Sequence, residues 1–248
     1  MNPVRIVTTS WDDGHPLDIR VAEMLSGYGL RGTFYVPRDN PERPVMAPET
    51  MRSLVALGQE VGAHGLSHCD VVGLNAASLA TEVAGSREWV LDATGISPAC
   101  FCYPRGRFDG PAQVAVKRAG FALGRTTVSL HLDVPANPYR MPVSLQVYPH
   151  ARATALKHAV RYCDVHGLRV ALNVRPWSYW SALEHLLGRM TTHGGVLHLW
   201  GHSWEIDDLG WWSVLEETFA LTAGLPGVAY LSNGEVARAI ARDGRARS

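Results

Sequence analysis

The chain has 248 residues, with 23 Lys and Arg balanced by 23 Asp and Glu, so its formal net charge is zero. That length suits one large core, expected as a single domain over residues 1–248, and the balanced charge argues against nucleic acid or an acidic membrane surface as the main partner. No apolar run reaches membrane-spanning length, the opening Met1-Asn2-Pro3-Val4 leads into the first strand with no signal peptide in view, and Cys69, Cys100, Cys102 and Cys163 lack paired zinc-site spacing; free thiols and a cytoplasmic location are expected.

Strand-like and helix-like segments alternate along the whole sequence, the pattern of βα units around a parallel sheet or barrel. Arg5 to Thr9 reads as a β-branched strand and Leu17 to Gly29 as a helix, separated by Ser10-Trp11-Asp12-Asp13-Gly14-His15. A second strand, Arg31 to Val36, stops at Pro37; a loop with Pro41 and Pro44 leads to a short helix from Glu49 to Leu57. Glu60 to Ala63 is a strand that runs into His64-Gly65-Leu66-Ser67-His68, and Asn75 to Thr94 is a helix closed by Gly95. Ala99 to Tyr103 is a strand leading into Pro104-Arg105-Gly106, followed by a helix from Pro111 to Gly120 and a strand from Phe121 to Thr127. Residues 130–150, rich in Pro and Asn, suggest an irregular excursion. Arg169 to Val174 reads as a strand, and Ser178 is placed to cap a helix running to Met190. Gly195 to Trp200 is a buried strand, Trp211 to Leu221 a helix, Val228 to Leu231 a last strand, and Asn233-Gly234 opens the final helix.

Adjacent carboxylates at a strand end are costly unless a positive group joins them or one holds a proton. A divalent metal on one of Asp12 and Asp13, with the other as a base, resolves that cost and performs chemistry. His64 and His68 follow another strand, and one carboxylate with two imidazoles leaves a coordination position open, as in catalytic zinc sites. In a barrel of parallel strands, Asp12, Asp13, His64, His68, Tyr103 to Gly106, Arg125 and His202 all fall at the C-terminal ends that share one mouth.

These residues resemble the polysaccharide deacetylases, the carbohydrate esterase family 4 group with the NodB homology domain. Ser10-Trp11-Asp12-Asp13-Gly14 is similar to the family's T-F-D-D-G, and His64-x-x-x-His68 to its H-[ST]-x-x-H, with Gly65 at the usual Ser or Thr. Phe101-Cys102-Tyr103-Pro104-Arg105-Gly106 resembles F-R-x-P-Y-G, and Leu197 to His202 resembles L-x-L-x-H. The resemblance implies a distorted (β/α) barrel, usually seven-stranded. It also implies Asp13, His64 and His68 as ligands of one divalent metal, zinc on ligand type, with Asp12 as general base. By the same resemblance the backbone N–H of Arg105 stabilises the oxyanion and His202 protonates the leaving amine. Cys102 stands where the family has an Arg that positions the catalytic Asp, and the fourth motif, D-x-x-D-W, is not recognisable after Phe121; Arg125 is a candidate replacement contact.

The expected activity is removal of N-acetyl groups from an amino-sugar oligomer or polymer. A second expectation keeps the site but changes the substrate to a small formamide, cyclic imide or ureide, and a third is a non-catalytic carbohydrate-binding protein. The intact Asp12, Asp13, His64 and His68 set argues against the last. His15, Tyr103, Arg125 and Trp204 are candidate substrate contacts. Trp177, Tyr179 and Trp180 read as core or interface in preference to a sugar-stacking platform, and Glu205 and Asp207 either orient His202 or form a charged loop. His198, inside an apolar strand, is expected in the core, and His202, beyond Gly201, at the mouth.

Overall fold

A computed structural model describes residues 4–246, so the reading of residues 1–3 lies outside the described residues. The first half alternates strictly: β1 (Arg5–Trp11), α1 (Asp18–Gly27), β2 (Gly32–Val36), α2 (Pro48–Ala56), β3 (Glu60–Ala63), α3 (Ala76–Thr94), β4 (Cys100–Cys102), α4 (Gly110–Arg118) and β5 (Leu123–Arg125). Then come β6 (Leu145–Gln146), α5 (Arg152–Arg161), α6 (Val165–Asn173), α7 (Tyr179–His193), β7 (Gly195–Gly201), α8 (Ser203–Asp208), α9 (Trp212–Thr222), β8 (Ala229–Tyr230) and α10 (Asn233–Ala246).

The strands form a parallel sheet in the order β5-β4-β3-β2-β1-β7-β6. β8 pairs with the start of β1 at Ile6 and Val7, below the stretch where Thr9 to Trp11 pair with β2. An isolated bridge from Met141 to Arg125 links the chain leading into β6 back to β5, so the sheet curls into the expected distorted barrel. Alternation along β1 sorts its side chains onto two faces. Val7 and Trp11 join the larger core beneath the helices, with Val21, Leu25, Phe34, Leu54 and Phe219. Ile6 joins a smaller inner core with Tyr35, Cys100, Cys102, Leu123, Met141 and Val196.

The inner face also carries buried polar groups, several of which pair with one another. Ser10 Oγ lies 2.9 Å from His198 Nε2, and Thr8 Oγ1 donates to Asn233 Oδ1 at 2.9 Å. Asn233 Nδ2 donates to Tyr35 Oη at 2.8 Å, and the start of α10 is held by Thr33 Oγ1 and the Glu60 carboxylate. A carboxylate at a helix N-terminus meets the unpaired N–H groups there. The first turn of α10 thus plugs the barrel opposite the C-terminal strand ends. Burial holds the His198 imidazole well below its ordinary pKa, a neutral core histidine as its strand position suggests.

One expected strand is a helix. Arg169 to Asn173 belongs to α6, with Val174 as its C-cap; in the helix Gly167, Val170 and Ala171 are buried while Val165 and Leu172 are exposed. That spacing has a helical period, and Asp164 caps the helix by accepting from Gly167 N at 3.0 Å. Within 130–150 the irregular excursion holds, apart from a 3-10 turn at Pro138–Arg140 and the two residues of β6. All four cysteines are free, and no helix among the described residues is long and apolar enough to cross a membrane.

Candidate active site

β1 delivers Asp12 and Asp13 to the mouth, with Asp12 N donating to Gly201 O at 3.0 Å to continue the sheet by one residue. Asp13 then turns into the left-handed region at φ 76°, and Gly14 follows at φ 60°. A Cβ on Gly14 would stand 2.6 Å from Val36 Cγ1, so this turn requires glycine. His68 (φ 52°) and Arg105 (φ 57°) are also left-handed, an uncommon conformation for residues with a side chain.

The turn aims one oxygen of Asp13 at two imidazoles. Asp13 Oδ1 lies 3.1 Å from His68 Nε2 and 3.7 Å from His64 Nε2, all three residues being buried. Ligand atoms about 2.1 Å from a tetrahedral zinc stand about 3.4 Å from one another, and these separations bracket that value. His64 Nδ1 lies 2.9 Å from the Cys102 carbonyl, which fixes the tautomer with the proton on Nδ1 and the Nε2 lone pair toward Asp13. The other oxygen of Asp13 accepts from Trp204 Nε1 at 3.0 Å. Burial by itself raises the Asp13 pKa, but its contacts with His64 and His68 hold it far below the usual carboxylate range. Burial disfavours a charged His64, yet the Cys102 sulfur and the Asp13 carboxylate drive its pKa well up. Both shifts state one demand: the cluster calls for positive charge, and a divalent cation on Asp13, His64 and His68 fits it.

Gly65 supports the ligand loop. At φ 77° it lets the chain bend so that Leu66 N and Ser67 N both donate to Glu82 Oε2, at 2.9 and 3.1 Å, while Ser67 Oγ donates to Oε1 at 2.8 Å. Glu82 on α3 therefore anchors the loop between the two histidines. Its only sequence signal is a lone carboxylate on a helix face.

Asp12 has a different environment. Its Oδ2 accepts from Arg125 Nη1 at 2.7 Å and from the Cys102 thiol at 3.6 Å, and its Oδ1 is buried without a hydrogen-bond partner among the described residues. Arg125 is wholly buried, also donates to Cys102 Sγ at 3.2 Å, and lies 4.4 Å from the centre of the Trp200 ring. Burial opposes its charge, but the Asp12 carboxylate more than restores it. A second possible grouping, Asp12 with His64 and Cys102, competes poorly for a cation because Asp12 already neutralises Arg125.

His202 sits where β7 gives way to α8. Its Nδ1 lies 2.6 Å from Glu205 Oε2, which also accepts from Gln146 Nε2 at 2.8 Å, and its Nε2 faces Asp13 Oδ2 at 3.8 Å. Burial lowers the imidazole pKa, but the Glu205 bond and the Asp13 field raise it above the ordinary value.

The candidate substrate contacts divide. Tyr103 and Arg125 are fully buried, and Tyr103 Oη donates to the Tyr139 carbonyl at 3.0 Å, so neither faces a substrate. Their backbones lie at strand ends beside the mouth, but their side chains are buried in the packing behind it. Trp204 binds Asp13 through its indole N–H and lies under the Arg43 guanidinium, 3.9 Å from the ring centre. His15 is half-buried, with Nδ1 accepting from Leu17 N at 3.3 Å. Arg105 turns its side chain to Glu42 at 2.6 Å, leaving its backbone at the mouth turn.

Residues 2–124 match the family model for polysaccharide deacetylase. A curated relative, the putative polysaccharide deacetylase YxkH of Bacillus subtilis (strain 168), is 23% identical over 125 residues, 50% of this chain and 45% of that protein. The chain thus spans under half the length of this relative. The putative polysaccharide deacetylase from Mycobacterium smegmatis has a similar structure, with a TM-score of 0.70 at 17% identity over 98% of this chain and 93% of that one. The chitin deacetylase of Colletotrichum lindemuthianum matches with a TM-score of 0.57 at 17% identity, over 93% of this chain and 85% of that one. A family 4 carbohydrate esterase from Streptomyces lividans, solved in complex with acetate, gives 0.54 at 15% identity over 92% and 91%. At these identities the structures show a shared fold. The family match over residues 2–124 shows that this chain belongs to the polysaccharide deacetylase family.

Proposed function

We propose that the protein is a metal-dependent hydrolase that removes N-acetyl groups from an amino-sugar oligomer or polymer, using Asp12 as base and His202 as acid. The observation that carries this reading is the division of labour between adjacent carboxylates. Asp13 faces two imidazoles at 3.1 and 3.7 Å, while Asp12 is paired with Arg125 and keeps its Oδ1 uncommitted. A pure binding protein has no use for that second carboxylate.

Asp13, His64 and His68 would hold one divalent ion, zinc on ligand type, which when bound would supply Lewis acidity toward the acyl carbonyl and water. Asp12 Oδ1 receives the proton of the attacking water, while Arg125 holds the carboxylate through Oδ2. The backbone N–H of Arg105, in its left-handed turn at the end of β4, is the candidate donor to the developing oxyanion. His202 holds its Nδ1 proton on Glu205 and delivers a proton from Nε2 to the leaving amine. Trp204 fixes the orientation of Asp13 so that Oδ1 stays turned to the imidazoles.

The test is acetate release from N-acetylglucosamine oligomers by zinc-loaded protein, compared with Asp12→Asn. A base contributes about 10²–10⁴-fold, and Asp12→Asn should lose that much kcat while keeping its metal. Release of formate or ammonia from formamides or cyclic imides, without acetate release from sugars, would move the substrate class and leave the site intact. Near-normal kcat in metal-loaded Asp12→Asn would remove the base from Asp12.

A further inference from the structure

One other mixed imidazole–carboxylate cluster occurs among the described residues, away from the catalytic mouth. His131 and Asp133 lie on the excursion after β5, and His166 lies in the first turn of α6; their ligand-capable atoms are all within 4.8 Å of one another. His131 Nδ1 stands 3.9 Å from Asp133 Oδ2, too far for a hydrogen bond but close to the spacing of two ligands on one ion. The His131 and His166 ring centres are 4.9 Å apart.

The cluster has built support. His131 Nε2 lies 2.9 Å from Asp164 Oδ2, so the proton sits on Nε2 and the Nδ1 lone pair turns toward Asp133. This carboxylate–imidazole pair is the arrangement that orients and strengthens metal-ligating histidines. Asp164 cannot drift, because its other oxygen caps α6 through Gly167 N at 3.0 Å. The His131 backbone is pinned as well, its N–H donating to Val143 O at 3.2 Å and its carbonyl accepting from Ser144 Oγ at 2.6 Å. Leu130 (φ 67°) and Cys163 (φ 50°) take left-handed turns immediately before His131 and Asp164, which directs both segments to this point. Asp133 is exposed, and His131 and Asp133 line an open cleft with Arg140 and Asn137, so an ion reaches the cluster from solvent.

We propose that His131, Asp133 and His166 form a second divalent-cation site, of the zinc class by its two imidazoles and one carboxylate, that staples the β5–β6 excursion to α6. Its role is structural. The stapled segments wall the mouth: Tyr162, between α5 and α6, donates its Oη to Gly106 O at 3.1 Å. Thr154, Ala155 and His158 of α5 close a cavity beside Trp177 and Trp200.

The experiment measures zinc per chain after equilibration with zinc ion and removal of loose metal, for the parent, His166→Ala, Asp133→Ala and Asp164→Asn. The parent should hold one more zinc than His166→Ala or Asp133→Ala, a difference that stands whether or not Asp13 binds metal. Asp164→Asn keeps an oxygen to cap α6 and should weaken the site about 10–100-fold. Zinc should also slow amide exchange across 128–134 and 162–168 in the parent and leave it unchanged in His166→Ala. Equal zinc content in the parent and in folded His166→Ala and Asp133→Ala, as judged by circular dichroism, overturns the site.

Discussion

The two halves of the mouth are built in different ways, although adjacent residues lead them. Around Asp13 the partners are His64 and His68, four residues apart on one loop, held from behind by Glu82. Around Asp12 the partners are Cys102 and Arg125, 90 and 113 residues away on two further strands. The first half is a local motif and survives as a readable spacing. The second half is a buried charge balance, in which the position of the guanidinium matters more than the strand that carries it. Arg125, one strand beyond Cys102, supplies the positive charge, its Nη1 reaching both Asp12 and the Cys102 sulfur. The family match ends at residue 124, immediately before Arg125.

Removing the motif half should have the largest effect. His64→Ala and His68→Ala are expected to lose bound metal and deacetylation together, to background, as measured by metal content and acetate release. Full metal retention in the double variant would break the proposed ligand set.

Next in size is the charge balance. Arg125→Ala leaves the Asp12 carboxylate buried without its partner, a change that typically costs about 3–5 kcal/mol of stability. Where the protein stays folded, kcat should fall about 100-fold from misplacement of the base. Adding Cys102→Arg to Arg125→Ala should recover stability and part of kcat. No recovery, with both proteins folded and metal-loaded, would mean that strand position matters after all.

A smaller effect lies at the acid. Glu205→Gln keeps a hydrogen-bonding oxygen near His202 but removes a negative charge that raises its pKa. The acid is active while protonated, so kcat falls as pH rises through that pKa, and the variant's alkaline limb should move to lower pH. An unmoved limb would detach Glu205 from the acid.

The smallest expected effect lies beneath the mouth. Burial raises the pKa of Asp18 well above the ordinary carboxylate value, and Ser203 Oγ donates to it at 2.5 Å. A folded-state pKa above the unfolded one gives stability that is complete below the unfolded value, about 3.9, and is lost as pH rises through the folded value. Asp18→Asn should therefore flatten the fall of Tm as pH rises above about 4, with little change in activity.

The sequence revealed the βα alternation, the strand ends and the ligand spacing because each is local and periodic. It failed where the information is three-dimensional. Residues 169–174 looked like a strand because four of the six are apolar, but Gly167, Val170 and Ala171 are buried on a helical period. Arg125 and Tyr103 were correctly placed at strand ends, yet nothing in the chain says that their side chains turn inward. Glu82 and the bond from Trp204 to Asp13 depend on α3 and α8 docking, which no spacing encodes.

The left-handed turns at Asp13 and His68 set a limit on how this protein can change. An L-residue in that region carries a conformational cost of about 1–2 kcal/mol, which glycine would relieve. Glycine has neither carboxylate nor imidazole, so relaxation at either position removes a proposed ligand. Selection or design for a more robust fold meets a barrier at these two positions that it does not meet at Gly14 or Gly65, where the permissive residue is already present. Stabilising substitutions are therefore to be sought in the helices and the barrel floor, away from the backbone turns of the mouth.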